Sequence, residues 1–105
     1  MPEYEFPYRN PALPIEQRVD DLLKRMTLDE KVDQLMQITV GADSNPNNLG
    51  SGHSFRPTIG SVLSYFGGTR NRNAFQRLAV EETRLGIPII WGCDVIHGWR
   101  TGFPI

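Results

Sequence analysis

The sequence predicts an α/β fold in which neighbouring parallel strands are joined through a helix. Two mainly apolar stretches, residues 60–66 and 87–94, have the length and composition of buried strands. Residues 72–85, which lie between them, carry apolar side chains at helical spacing. A strand, a helical crossover and a second strand form a βαβ unit, and its two strands run parallel. Ligands of parallel α/β folds bind at the carboxyl ends of the strands, so functional side chains are expected there.

Composition limits the chain to one small domain at most. It has 105 residues, of which 39% are hydrophobic and 22% are charged, as in ordinary globular proteins. A net charge of −1 gives no reason to expect nucleic acid or a membrane as a partner. The single cysteine, Cys93, excludes an intramolecular disulfide. The acidic start, Met1 to Glu5, lacks the pattern of a signal peptide and predicts a cytoplasmic location, although a shortened start would remove evidence of export.

The first 26 residues predict an arm followed by a helix. Residues 1–14 contain four prolines and are expected to form an extended arm that lies along a larger body. Residues 15–26 form the first predicted helix. Its apolar face consists of Ile15, Val19, Leu22, Leu23 and Met26.

A capping box marks the start of a second helix. Thr27 and Glu30 have the Ser/Thr-x-x-Glu spacing in which each residue satisfies a backbone N–H of the other. Residues 34–40 fit either a helix or a strand, and we predict a helix that leads into a short strand. Residues 41–58, rich in Asn, Pro and Gly, predict a loop. Gly86 is expected to adopt a left-handed backbone where the 72–85 helix ends.

Five segments carry a resemblance to a known family. They are MTLDEKVDQL at 26–35, GSVL at 60–63, RLGIP at 84–88, GCDVIHG at 92–98 and RTGFP at 100–104. In this order, and preceded by PYRN at 7–10 and the predicted helix 15–26, they resemble the N-terminal part of glycoside hydrolase family 3, the β-glucosidase and β-xylosidase family, over nearly the whole chain. The resemblance implies that residues 15–105 are the first elements of a (β/α)8 TIM-barrel-like domain, which is incomplete here.

Asp33 departs from the family pattern, which usually has glycine or another small residue at this position. If Asp33 is packed in the interior, an unpaired carboxylate would cost several kcal/mol or change its own protonation. If it lies on the solvent side, the departure has little effect.

The resemblance implies retaining hydrolysis of terminal β-glucosyl or β-xylosyl residues, with two carboxylates about 5 Å apart. The family nucleophile lies in a Ser-Asp-Trp-type motif, and the sequence contains neither this motif nor the Lys-His pair that helps to hold the sugar. We therefore expect no catalytic residue in this chain, no cofactor, and a β-glucoside or oligosaccharide as substrate of the complete enzyme. The alternative is a non-catalytic piece that folds only with a complementary segment or by self-association.

Asp94 is the main candidate for contact with substrate. It ends the predicted strand 87–94, and the resemblance implies that it holds the terminal sugar, since a carboxylate accepts hydrogen bonds from two hydroxyls. The alternative is an acid that only caps the following turn. His97 and Gly98 are expected to support the loop that presents Asp94. Trp99 and Arg100 are weaker candidates for the sugar entrance, with loop packing and ion pairing as the default.

Three other interpretations are weaker. Cys93 lies beside Asp94, but no base follows from the sequence that would make it a nucleophile. Asp94, His53 and His97 lack the spacing of metal ligands, so no metal site is predicted. The glycines at 67–68 lack the other residues of a phosphate-binding loop and predict a plain turn.

Overall fold

The computed structural model describes residues 4–47, 55–96 and 98. A short 3-10 helix, Pro7–Arg9, precedes helices α1 (Ile15–Arg25) and α2 (Leu28–Leu35). Strand β1 (Gln37–Thr39) is followed by β2 (Ser61–Leu63), helix α3 (Gly68–Glu81) and β3 (Ile90–Gly92). The described part of the chain is therefore α/β, as the sequence predicts.

The three strands form one parallel sheet in the order β1-β2-β3. Ile38, Val62 and Trp91 lie side by side across it. Because β2, α3 and β3 follow one another and the two strands are parallel, the predicted βαβ unit is confirmed. The prediction that a helix leads into a short strand near residue 37 is also confirmed.

One face of the sheet packs against α3 and the other face is open. Val62 is fully buried in a cluster with Phe75 and Ala79 of α3, and Ile38 and Trp91 pack against the same cluster. The remaining members of the cluster are Val40, Ile59, Tyr65 and Ile89. On the opposite face, Gln37, Thr39, Ile90 and Gly92 are exposed. The side chains of β3 thus alternate between the two faces, since Trp91 packs against the cluster and Ile90 is exposed on the other face.

The capping box at the start of α2 is confirmed. The hydroxyl of Thr27 accepts a hydrogen bond from the Glu30 N–H at 3.2 Å, and the Glu30 carboxylate accepts one from the Thr27 N–H at 2.8 Å.

The arm is not extended throughout, because Pro7–Arg9 form a helical turn. Tyr8 is buried, and its hydroxyl donates to the Leu85 carbonyl at 2.7 Å.

Helix α3 does not span the predicted residues 72–85. It begins at Gly68, the second glycine of the predicted 67–68 turn, and it ends at Glu81. After the helix, the Thr83 hydroxyl donates to the Ala79 carbonyl and accepts from the Gly86 N–H, which forms a compact turn. Gly86 has the expected left-handed backbone (φ +64°), but four residues separate it from the helix end.

Strands β2 and β3 are shorter than predicted for identifiable reasons. Ser64 has a left-handed backbone (φ +55°), which turns the chain out of β2 directly after Leu63. Pro88 has no N–H to donate, and the polar backbone groups of Ile89 bond to a side chain of α3. Sheet pairing of β3 therefore begins only at Ile90, whose N–H donates to the Gly60 carbonyl at 3.0 Å.

Asp33 lies in the interior but has partners. Only 8% of its side chain is exposed, and its carboxylate lies 2.6 Å from the Arg56 guanidinium. The Thr58 hydroxyl donates to its other oxygen. The position is therefore packed, and the cost expected for an unpaired carboxylate is offset by an ion pair and a hydrogen bond.

Candidate sugar-binding site

Asp94 lies at the carboxyl end of β3, two residues beyond the strand rather than within it. The last bond that holds β3 in the sheet runs from the Ser64 N–H to the Gly92 carbonyl at 2.8 Å. Asp94 is exposed, so a ligand can reach its carboxylate from solvent. Its place at the carboxyl end of a parallel sheet is the position at which α/β proteins bind ligands.

The segment around Asp94 is organised by short-range contacts. The Cys93 thiol is exposed and lies 3.3 Å from the Asp94 carbonyl. The Gly98 N–H donates to the Val95 carbonyl at 2.9 Å, and Gly98 has φ +83°, a conformation that favours glycine. This hydrogen-bonded turn follows directly after Asp94.

Several predicted site residues lie outside the described part of the chain. They are His97, Trp99 and Arg100, together with His53, so their roles stay predictions. Within residues 4–47, 55–96 and 98, no three His, Cys, Asp or Glu side chains are grouped closely enough to hold a metal ion.

Two polar residues of α3, which sequence analysis did not single out, hold the strand that leads to Asp94. The Gln76 amide accepts hydrogen bonds from the Ile89 N–H at 3.0 Å and the Trp91 indole at 3.3 Å, and it donates to the Ile89 carbonyl at 3.2 Å. The Arg72 guanidinium lies over the Trp91 ring at 5.3 Å. A signal was present in the sequence, because Arg72 and Gln76 share one helical face with Phe75 and Ala79 and interrupt its apolar character.

The ionisable groups with resolved pKa shifts belong to ion pairs of α1 and α2. Hydrogen bonding from Arg25 lowers the pKa of Asp21, and the pKa of Arg25 rises in return. Hydrogen bonding from Arg84 lowers the pKa of Glu30, whose carboxylate also accepts the Thr27 N–H in the capping box of α2. The first pair lies within α1, whereas the second joins α2 to the segment after α3.

Two surface grooves in the described part of the chain are lined by residues other than Asp94. One groove of about 500 Å³ is bounded by the arm, α1 and residues 86–88, and Arg9 and Arg18 contribute its charge. Another, of about 310 Å³, lies on the open face of the sheet beside Gln37, Thr39 and Leu63. One carboxylate on an open surface presents a hydrogen-bonding group but not an enclosed pocket.

Comparison with known proteins identifies the class of protein. The chain is 41% identical over 91 residues to the periplasmic beta-glucosidase of Salmonella typhimurium and 33% identical over 114 residues to the probable beta-glucosidase C of Aspergillus flavus. It is 31% identical over 117 residues to a putative beta-xylosidase of Formosa agariphila. The matches cover 83%, 91% and 93% of this chain, but only 11%, 18% and 16% of the relatives.

These matches relate the chain to glycoside hydrolases. The relatives named beta-glucosidase and beta-xylosidase show that the chain is related to glycoside hydrolase family 3-like proteins. The sequence motifs indicated the same relationship. No family model matches the chain.

Proposed function

We propose that this chain provides the Asp94 part of a sugar-binding site in a retaining β-glucosidase-like glycoside hydrolase. The proposed substrates are oligosaccharides or glycosides with a terminal β-D-glucosyl or β-D-xylosyl residue. The main support is the place of Asp94, an exposed carboxylate at the carboxyl end of a parallel sheet. The names of the relatives support the same class of substrate.

The chemistry of a carboxylate suits this role. Its two oxygens accept hydrogen bonds from two neighbouring hydroxyls of a sugar ring, and each charge-assisted bond contributes roughly 1.5–3 kcal/mol. Asp94 would thus distinguish sugars by the position of their hydroxyls. Asp94 is exposed and lies two residues beyond the last residue of β3.

The sheet is proposed to be the opening part of a (β/α)8 barrel. Its strands are parallel and follow one another in chain order, and α3 covers only one face. A barrel repeats this arrangement, with its helices outside and the opposite face of the sheet towards the interior. In that arrangement the exposed face with Gln37, Thr39 and Ile90 would be covered by further strands.

The chain by itself is proposed to be catalytically inactive. Retaining hydrolysis needs a nucleophile and an acid/base carboxylate at a fixed separation. Its 105 residues contain no Ser-Asp-Trp or Ser-Asp-Tyr motif, and no cofactor is expected to replace the missing carboxylates. The nucleophile and the acid/base residue would therefore come from outside this sequence.

The experiment is an NMR titration of the chain with methyl β-D-glucoside. The backbone amides around Asp94 should shift in a saturable manner, and Asp94→Asn should abolish this response. Asp20→Asn is the matched control, because Asp20 is an exposed aspartate of α1 and its change removes the same charge. An equal response in the wild type and Asp94→Asn would refute the assignment. Hydrolysis of a chromogenic β-glucoside by the purified chain would refute the proposed inactivity.

A second candidate is a non-catalytic piece that associates with a complementary segment or with itself. Its support is the exposed apolar surface: Leu35, Ile90 and Ile96 are 87%, 70% and 80% exposed. Surfaces of this kind favour association. Sedimentation velocity over a range of concentrations tests this candidate. Concentration-dependent association supports it, and a monomer with dispersed NMR signals contradicts it.

The compartment stays a prediction. Among the described residues, no helix combines the length and the apolar composition needed to cross a bilayer. We propose that the chain has no nucleic-acid or membrane partner, on the basis of its net charge of −1. The Salmonella relative, by contrast, is named periplasmic.

A further inference from the structure

We propose that Gln76 and Arg72 of α3 are positioning residues that fix β3 and thereby the location of Asp94. The proposal rests on the proposed sugar-binding role of Asp94. Neither residue would contact the sugar. Gln76 acts through Ile89, which directly precedes β3, and through Trp91 within the strand. Arg72 acts through Trp91.

The side chain of Gln76 makes the backbone hydrogen bonds of Ile89, directly before β3, that a neighbouring strand would otherwise make. Its primary amide bonds to both backbone polar groups of Ile89, accepting from the N–H at 3.0 Å and donating to the carbonyl at 3.2 Å. Its oxygen also accepts from the Trp91 indole at 3.3 Å. Because Pro88 has no N–H to donate, the bonds from Gln76 to Ile89 are the first that hold the segment leading into β3.

The register of β3 depends on this anchor. The first sheet bond of the strand runs from the Ile90 N–H to the Gly60 carbonyl at 3.0 Å, directly after the residue that Gln76 holds. A slip by one residue would exchange the two faces of the strand. Trp91 would then leave the core cluster, and the direction in which the chain delivers Asp94 would change. In the observed register, Gln76 bonds to the backbone of Ile89 and to the indole of Trp91.

Arg72 ties β3 to the end of β2. Its guanidinium lies over the Trp91 ring at 5.3 Å, and it donates to the Tyr65 carbonyl at 3.0 Å. Tyr65 follows Ser64, whose N–H makes the last bond to β3 at Gly92. Arg72 therefore joins β3 to the segment that leaves the sheet after β2. Arg72 and Gln76 are one helical turn apart, so a single face of α3 makes both contacts.

Gln34 provides a matched control for Gln76. It is also a helical glutamine, at the end of α2, and its amide donates to the Thr58 carbonyl at 2.8 Å just before β2. Gln34→Met should thus remove a comparable part-buried bond without touching β3. A general loss of stability would affect both variants, whereas a positioning role is specific to Gln76.

A nitroxide label on Cys93 tests the proposal directly. Cys93 is the only cysteine, it is exposed, and it immediately precedes Asp94. In Gln76→Met the label should lose immobilisation relative to the wild type, whereas Gln34→Met should keep the wild-type spectrum. Gln76→Glu retains the two acceptor bonds and should give an intermediate spectrum. This second variant decides the matter if Gln76→Met does not fold.

The sugar titration separates failure of positioning from failure of the proposed function. If Asp94 binds the glucoside, Gln76→Met should raise the dissociation constant and Gln34→Met should not. Unchanged label mobility in both Gln76 variants, or equal changes in Gln76→Met and Gln34→Met, would overturn the positioning role. If the wild type binds no methyl β-D-glucoside, the sugar-binding role of Asp94 fails, while the label spectra still show whether Gln76 fixes the segment that carries it.

Discussion

The buried pair of Asp33 and Arg56 provides the sharpest stability prediction. Asp33 stands where the family pattern usually has a small residue, and its carboxylate contacts the Arg56 guanidinium at 2.6 Å. The two residues join the end of α2 to the segment that enters β2. Arg56→Met removes the cation and leaves the carboxylate in the interior with the Thr58 hydroxyl as its hydrogen-bond donor.

The expected cost lies between the values for exposed and buried pairs. Exposed pairs contribute about 0.2–1 kcal/mol, and removal of one partner from a buried pair costs about 3–5 kcal/mol. The side chain of Asp33 is 8% exposed and that of Arg56 is 56% exposed. We therefore expect Arg56→Met to lower the free energy of unfolding by about 2 kcal/mol, or roughly 30-fold in the unfolding equilibrium. Asp33→Ala should cost about 1 kcal/mol, because the freed arginine is solvated.

Urea denaturation of the two single variants and the double variant measures the coupling. Because the buried charge is absent once Asp33 is replaced, Arg56→Met should cost little in the Asp33→Ala background. Arg77→Met is the control, since Arg77 lies 3.9 Å from Glu81 and both side chains are well exposed. The reasoning is refuted if Arg56→Met is no more destabilising than Arg77→Met. It is also refuted if the costs of the two single changes add in the double variant.

Three further predictions concern the helices and the arm. Thr27→Ala removes one half of the capping box and should lower the free energy of unfolding by about 1 kcal/mol in urea denaturation. Hydrogen bonding from Arg84 lowers the pKa of Glu30 below its usual 4.5, so unfolded Glu30 binds protons more readily than folded Glu30. Its stabilisation should be complete above about pH 4.5 and should fall as the pH drops through the folded pKa; Glu30→Gln should remove this component of pH-dependent unfolding. Tyr8→Phe loses the hydroxyl bond to Leu85 and should cost about 1 kcal/mol, with faster proteolysis of the arm. An unaltered unfolding midpoint in Thr27→Ala, an unaltered pH profile in Glu30→Gln or unaltered proteolysis in Tyr8→Phe would contradict the respective prediction.

Local signals in the sequence predicted the elements well where the cause is local. The capping box of Thr27 and Glu30 lies within four residues, and its geometry is found as expected. Apolar spacing located α1 to within one residue. The ends of β2 and β3, by contrast, depend on the left-handed backbone of Ser64 and on bonds from a distant helix, which periodicity does not encode.

The candidate site shows the same division. Asp94 could be selected from its place after an apolar run and from the family resemblance, and the structure places it at the carboxyl end of the sheet. Gln76 was not selected, because a glutamine on a helix is normally a solvent-facing residue and its strand partner lies beyond the helix. The sequence did not identify the partner of Asp33 either, since Arg56 lies far along the chain, in the long connection between β1 and β2.

The most direct test of the central claim observes the side chain of Asp94 itself. The chain is labelled with carbon-13 at aspartate carboxyl groups and titrated with methyl β-D-glucoside at neutral pH. Our account predicts that the Asp94 carboxyl resonance shifts saturably, while the resonance of Asp20 does not. A glucoside that binds without moving the Asp94 resonance, or that moves both resonances alike, would contradict the assignment of Asp94 as a sugar ligand.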